Sequence, residues 1–484
     1  MRMSITGKVM MAAVAGFSLC ALGGTPDFVN RRATRVQLWF DTEDYTLDKS
    51  NDAIRELANI MTEEGVRGHF NIAGYLARVI LENRRDDVRE ALKPHLVGTL
   101  SLYHSRHPNI TELTDLEDYD EAYRRCLAEE AEGFGYLKAA FGLQDQFLSC
   151  YPGNGSSYVA LDVHADLGSH FHGGLGALDN LKRGDAMWYQ NIRQILYNSP
   201  LNMEEYVLGR IDDGAFARGL DACAEFEAVV FYLHPHMLIR CQHWDIDNFL
   251  KGNNVTFGKW KTPELRTPAF TAQCYRNFRA FIRKVKADSR FTFTDCERLL
   301  ATQEPRTAIW AEDVPAIRAA LRKDFGPVSS PASWCVADCF QAAVKFLCGE
   351  KKHVPGKVYG FLERPVGVKA KTVVKAADLR AAARKIVFRR HLPVAYEVGG
   401  VTLGPADFLF AALEVLETGA DEVTVEPREQ LGDIAAKLPK LARFSHVKPA
   451  WCIYWSQFED KYLADRLRWQ FWTLRFEGSA KGKE

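Results

Sequence analysis

At 484 residues with 47% apolar content, the chain exceeds a usual single domain and can bury real cores, so a large catalytic-type domain plus a smaller one is expected. Lys+Arg and Asp+Glu both number 62, giving a formal charge of zero. That balance supplies no electrostatic drive toward nucleic acid or an anionic membrane, and points to a neutral or mixed partner.

Residues 1–28 read as a targeting segment. Arg2 and Lys8 form a basic start, VMMAAVAGFSLCALGG an apolar stretch of small residues, and polar TPDFVNRR comes next. The apolar run is shorter than a membrane span and its small residues after Cys20 suit cleavage, so export of a mature chain with no stable membrane span is expected. The alternative is a cytoplasmic protein, because eleven cysteines without paired CxxC spacing fit an oxidising compartment badly. That spacing matches neither a zinc cluster nor a disulfide framework, so buried free thiols are expected, Cys335 and Cys339 included.

Across residues 33–305, short β-rich runs alternate with helical stretches, the pattern of a largely parallel sheet built from βα repeats. The strand-like runs are VQLWF (36–40), GHFNI (68–72), HLVGTL (95–100), the segment ending LSCY (148–151), SHFHG (169–173), AVVFYLH (228–234) and FTFT (291–294). Seven repeats of that kind suggest a barrel. Between them, NDAIRELANIMTEEG places Ile54, Leu57, Ile60 and Met61 at helical spacing and ends on Gly65, and DYDEAYRRCLAEEAEGFGYLKAAF is a charged amphipathic helix. A boundary falls at ATQEPRT, and residues 306–425 read as a mainly helical module. Within it a helix buries Leu379, Ala383 and Ile386, a turn comes at Leu392 and Pro393, a strand pair surrounds Gly399 and Gly400, and Pro405 opens another helix. Residues 426–484 are rich in aromatics, among them Trp451, Tyr454, Trp455, Trp469 and Trp472, for which packing is the expected role.

Chemistry in such repeats sits at the carboxyl ends of strands. LWFDTEDYT places Asp41, Glu43 and Asp44 directly after a buried-strand pattern, where a surface turn and a general base beside a metal ligand are the competing readings. His104 and His107 come after the third strand and lead into Pro108, and two imidazoles with a carboxylate suit a borderline divalent ion such as zinc. A Pro/Gly-rich loop, SCYPGNGSSY, comes after the fourth strand. His234 ends the most hydrophobic strand and can serve as a proton donor.

This ordered set resembles the polysaccharide deacetylase superfamily, the NodB-homology group, over residues 33–305. FDTED resembles its first motif in a D-x-E-D form, YHSRHP its second, CYPG its third and YLHP its last; Trp244-Asp245 is similar to the stretch C-terminal to the last motif in some members. The resemblance implies a distorted (β/α)7-type barrel and a metal-dependent hydrolase that removes acetyl groups from an amino-sugar or cell-wall glycan. It implies Asp41 as the base, His234 as the acid, and Glu43, Asp44, His104 and His107 as the pool of metal ligands. Tyr151, Pro152, Gly153 and Trp244 would line the substrate. The family pairs two metal-binding histidines four residues apart, and here Leu100 stands where the first belongs; LSCYPG also lacks the arginine that orients the base. These departures motivate a rival reading, a glycan-binding barrel without catalysis. A third reading keeps the fold and changes the bond to another amide. DLRAAARKI, HLP, VGGV and PADFLFAAL resemble the pseudomurein-binding repeat, which implies that the C-terminal module holds a wall polymer.

Overall fold

The computed structural model describes residues 33–142, 147–150, 157–173, 187–195, 199–301, 306–433 and 458–476. The targeting segment, Tyr151, Pro152, Gly153 and the aromatics Trp451, Tyr454 and Trp455 lie outside the described residues. The organising element is strand β1 (Thr34–Thr42), in which Val36, Leu38, Trp39 and Phe40 are all inaccessible to solvent. A strand apolar on both faces must be covered on both sides, which is the situation of a central strand in a parallel sheet. β1 pairs in parallel with β2 (His69–Ile72) on one side and β8 (Ala228–Leu233) on the other. Its first residues also pair with β9 (Phe291–Phe293). β2 continues in parallel to β3 (Leu96–Thr99), then β4 (Phe147–Cys150), then β5 (Ser169–Gly173). The fold class is therefore α/β with a largely parallel sheet. Among the described residues the pairing runs as a path from β8 to a far edge.

That far edge was not legible in the sequence. β6 (Met187–Tyr189) and β7 (Ile192–Ile195) form an antiparallel hairpin, and β7 joins β5 in parallel. Its turn residues Gln190 and Asn191 have φ of 46° and 66°. Such a turn is usually signalled by Asn-Gly or Asp-Gly, and Gln-Asn carries that signal poorly. The short strand Arg475–Phe476 then adds to β6, so residues near the C-terminus extend the large sheet. Trp472 is fully buried, in keeping with a packing role.

Helices α1 (Ser50–Glu63) and α5 (Tyr119–Phe141) stand where the sequence spacing put them, and α2 (Gly74–Glu82) and Pro268–Ala287 are further helices of this region. α1 ends just before Gly65, whose φ of 67° suits glycine. α2 and α5 touch so closely that a Cβ on Gly74 would stand 2.5 Å from the Cα of Gly133. The amides of Gly74 and Tyr75 bond to the carbonyls of Ser101 and Leu102, which fixes the start of the loop that carries His104.

Residues 306–425 are less purely helical than expected. Helices Val314–Lys323, Val336–Leu347, Ala376–Ala383 and Pro405–Thr418 share one core with three two-stranded antiparallel pairs. The hairpin at Gly399 and Gly400 is one of them, with φ of 57° and 84° at the two glycines. Leu379 and Ala383 are buried on their helix, whereas Ile386 lies beyond its end and only half-covers the core. The described residues from Ala33 onward belong to one compact unit. Cys126, Cys223, Cys274, Cys296, Cys335 and Cys339 are buried free thiols, while Cys241 and Cys348 are free and exposed.

This packing has two measurable consequences. Gly74→Ala should lower unfolding free energy in urea by about 1–3 kcal/mol, because both backbones are in the way and neither can yield like a side chain. Wild-type stability in that variant would show that α2 and α5 are not in contact. His69 is buried in β2 with Nε2 accepting from the Cys296 amide, and burial, aided by Arg67 and His95, depresses its pKa to about 3. The unfolded chain therefore takes up this proton first, so stability should fall as pH drops from about 6.5 and level off only near 3. His69→Asn should flatten that profile by up to about 1.4 kcal/mol per pH unit in paired denaturation curves.

Candidate functional site

Parallel pairing on both sides of β1 brings the carboxyl ends of β1, β3 and β8 to one edge of the sheet. Side chains alternate along an extended chain, so Asp41 and Glu43 can share a face while Asp44 takes the other. Asp41 pairs in register with Asn71, whose Nδ2 donates to Asp41 Oδ1 at 3.4 Å. Its Oδ2 lies 3.8 Å from Nε2 of His234.

His234 stands directly after β8. Its Nδ1 lies 2.7 Å from Oε2 of Glu204, and its backbone amide donates to the same oxygen at 2.8 Å. Glu204 sits on the short helix Met203–Val207. Burial alone would depress the His234 imidazole, but Glu204, with Glu43 and Asp41, pushes its pKa up to about 10. Burial works to raise Glu204 in turn, and the charge and hydrogen bonds of His234 bring it net below the ordinary carboxylate range. A carboxylate fixed on Nδ1 sets the tautomer and aims Nε2 at Asp41.

Glu43 is buried with both oxygens engaged: Oε1 accepts from the indole of Trp244 at 3.0 Å, and Oε2 lies 3.2 Å from Nε2 of His104. Burial, reinforced by Asp41 and Asp245 against the pull of His234, raises the Glu43 pKa well above the ordinary value. His104 has φ of 57°, and its Nδ1 lies 2.6 Å from Oγ of Ser105, which donates to Asp245 at 3.0 Å. Burial and the nearby His234 and His243 hold the His104 pKa well below its usual value. The relay places the Nδ1 proton on the Ser105 side, so a lone pair of Nε2 faces a carboxyl oxygen. Two such acceptors need a proton or a cation between them.

Glu43, His234 and His243 each offer one ligand atom, all within 4.8 Å of one another. The His243 ring stands 4.9 Å from that of His234, and burial with the charge of His234 depresses its pKa to about 3. His236 is 1% exposed with neither ring nitrogen hydrogen-bonded, and stacks edge-on to His234 and His243 at 5.6 and 5.3 Å.

Three sequence-based assignments fare differently. Asp44 turns away from the cluster: its oxygens meet Ser50, the Thr46 amide and hydroxyl, and the buried guanidinium of Arg240 at 3.1 Å. His107 is likewise committed elsewhere, with Nδ1 on Glu112 at 2.8 Å and Nε2 on the Phe249 carbonyl at 3.1 Å. Trp244, expected at the substrate, is fully buried against Tyr45 and Phe249 and supports Glu43 from behind. Its ring has no open face for a sugar. Glu204, His236 and His243 escaped the sequence reading. The clustering of His234, His236 and His243 among only 13 histidines was a usable signal; Glu204 had none.

No family model matches the chain, and no curated protein does. Solved structures do. A protein assigned as a polysaccharide deacetylase from Mycobacterium smegmatis aligns at 13% identity and a TM-score of 0.38, covering 59% of this chain and 96% of that one. Polysaccharide deacetylases are thus among the structures this chain is similar to. A family 4 carbohydrate esterase from Streptomyces lividans aligns at 11% identity and a TM-score of 0.30, covering 54% of this chain and 92% of its own. A 4-alpha-glucanotransferase from Thermococcus litoralis aligns at 10% identity and a TM-score of 0.39, covering 57% of this chain, which spans only 41% of that enzyme. At these scores any functional reading rests on the site.

Glu204→Gln should bring the His234 pKa of the metal-free protein down from about 10, as read by histidine-selective NMR titration. An unmoved titration would show that Glu204 does not hold this imidazole.

Proposed function

We propose that the chain is a metal-dependent hydrolase of deacetylase type, removing acetyl groups from an amino-sugar glycan at the carboxyl edge of its parallel sheet. The observation that carries this reading is the pair of facing groups there: Asp41 with His234 at 3.8 Å, beside Glu43 with His104 at 3.2 Å. The donor set fits a divalent ion. Carboxylate and imidazole converge in a buried place, and the groups behind them, Trp244, Ser105 with Asp245, and Glu204, fix their orientation as outer partners of a metal site do. Glu43 and His104 would hold the ion, zinc by the softness of the donors. When bound, such an ion polarises an acyl carbonyl and acidifies water.

The remaining work falls to the chain. Asp41, partly open to solvent and steadied by Asn71, takes a proton from the attacking water. His234, kept charged by Glu204, delivers a proton to the leaving amine from Nε2, where it is aimed. Half-buried Tyr75, Tyr103 and Phe257 pack on one another at 4.8 to 5.9 Å beside the loop of His104, with Arg106 over the rings of Tyr103 and Phe257 and Arg78 over that of Tyr75. The proposal extends to the domain plan read from the sequence, including an exported chain whose C-terminal module engages wall polymer. Among the described residues no helix is long and apolar enough to cross a membrane.

Leu100 favours a second reading: this buried side chain offers no donor, so the β3 end brings only His104 to the cluster, and the protein then binds glycan without cutting it. Acetate release from chitooligosaccharides separates the two. The zinc-loaded protein should release acetate, and Asp41→Asn should cut the rate by roughly 10²–10⁴ with an unchanged melting curve. Glycan binding with no acetate release would support the second reading; neither binding nor release would sink both.

A further inference from the structure

We propose that His243 is a metal ligand, so that the centre is completed by the loop after β8 in place of a second imidazole from β3. The inference rests on the metal-dependent reading above and adds a residue that none of the recognised motifs supplies.

Glu43 is the hub. His104 reaches one of its oxygens directly at 3.2 Å, and His243 presents a ligand atom within 4.8 Å of both Glu43 and His234. On the β3 side, Leu100 is 1% exposed and carries no donor, and His107 is committed through both nitrogens to Glu112 and the Phe249 carbonyl. His236 is the competing imidazole on the same loop. It is buried against His243 with neither nitrogen hydrogen-bonded, but the group whose ligand atoms converge contains His243. The loop that delivers His243 is itself anchored: buried Arg240 bonds Asp44 at 3.1 Å and Asp247 at 2.8 Å, bracketing residue 243 on both sides. The turn-side carboxylate of DTED thus positions the replacement ligand while Glu43 meets the ion.

Chelator-stripped full-length protein, titrated with zinc by calorimetry and with cobalt(II) by visible absorption, tests the assignment. Wild type should bind one ion, and His243→Ala should bind zinc at least tenfold more weakly and lose ligand-field intensity with cobalt. Cys241→Ser, an exposed change in the same loop, should leave both unchanged. Melting curves of the metal-free proteins accompany the titrations; where the alanine variant does not fold, His243→Asn takes its place with the same expectation. Undiminished zinc affinity on loss of His243, or a loss seen with His236→Ala in its stead, overturns the inference and leaves the hydrolase reading standing. A wild-type protein that binds neither ion overturns both.

Discussion

Everything at the site depends on β1 being paired in parallel on both sides. Trp39 through Thr42 lie opposite His69 through Ile72, and Leu38 and Phe40 lie opposite Phe231 and Leu233. A shift of one residue against either neighbour would reverse the faces of β1 and take Asp41 out of line with Asn71 and His234. Leu38, Trp39 and Phe40 have no accessible surface, so both faces of the strand are buried and the two parallel ladders, not an inside–outside alternation, hold the register. The register that buries the strand is therefore the register that delivers Asp41 and His234 to the same place. Stability and chemistry are set by one constraint.

The acids after that strand carry opposed electrostatic demands. Buried carboxylates are costly unless paired, and here each has a distinct partner: Asp44 has Arg240, Glu204 has His234, and Glu43 has the Trp244 indole and the His104 imidazole. Only the last pair lacks a fixed cation, and burial raises the Glu43 carboxyl well above its ordinary value. Around it, one imidazole raised by its carboxylate neighbours, His234, stands beside three depressed by burial, His104, His236 and His243.

The sequence made the strands legible where apolar runs were long and bounded, so β1, β2, β3, β5 and β8 fell where periodicity put them. The hairpin of β6 and β7 did not, since its turn uses Gln190 and Asn191 and its outer partner comes from residues 475–476, a pairing with no local trace. At the site, strand-end position revealed Asp41 and His234, while the direction of a side chain was invisible. Asp44, His107 and Trp244 all have suitable chemistry and face other partners. Trp244 illustrates the reason: an indole reads as a sugar platform in a sequence, yet its N–H serves equally well as a buried donor, and only packing against Tyr45 decides between them.

The last segment ties the far sheet edge to the core of residues 306–425. Thr473 accepts the Gln190 amide at 2.9 Å, and Asn191 exchanges two 2.8 Å bonds with Val358. Gln470 bonds Gly360 and Phe361 on one side, while Arg466 on the preceding helix caps the carbonyls of Leu116 and Glu117. These bonds satisfy backbone groups that an isolated β-rich half would leave open at the hairpin edge. A change of composition near residue 305 therefore coexists with one compact unit, because the polar closure of the sheet comes from the other end of the chain. The carboxyl edge that carries the histidines is held from within residues 33–305: Asn71, Ser101, Ser105, Glu204 and Trp244 are the groups that orient Asp41, His104, His234 and Glu43. The bonds that orient the site and the bonds that close the far sheet edge therefore come from different parts of the chain.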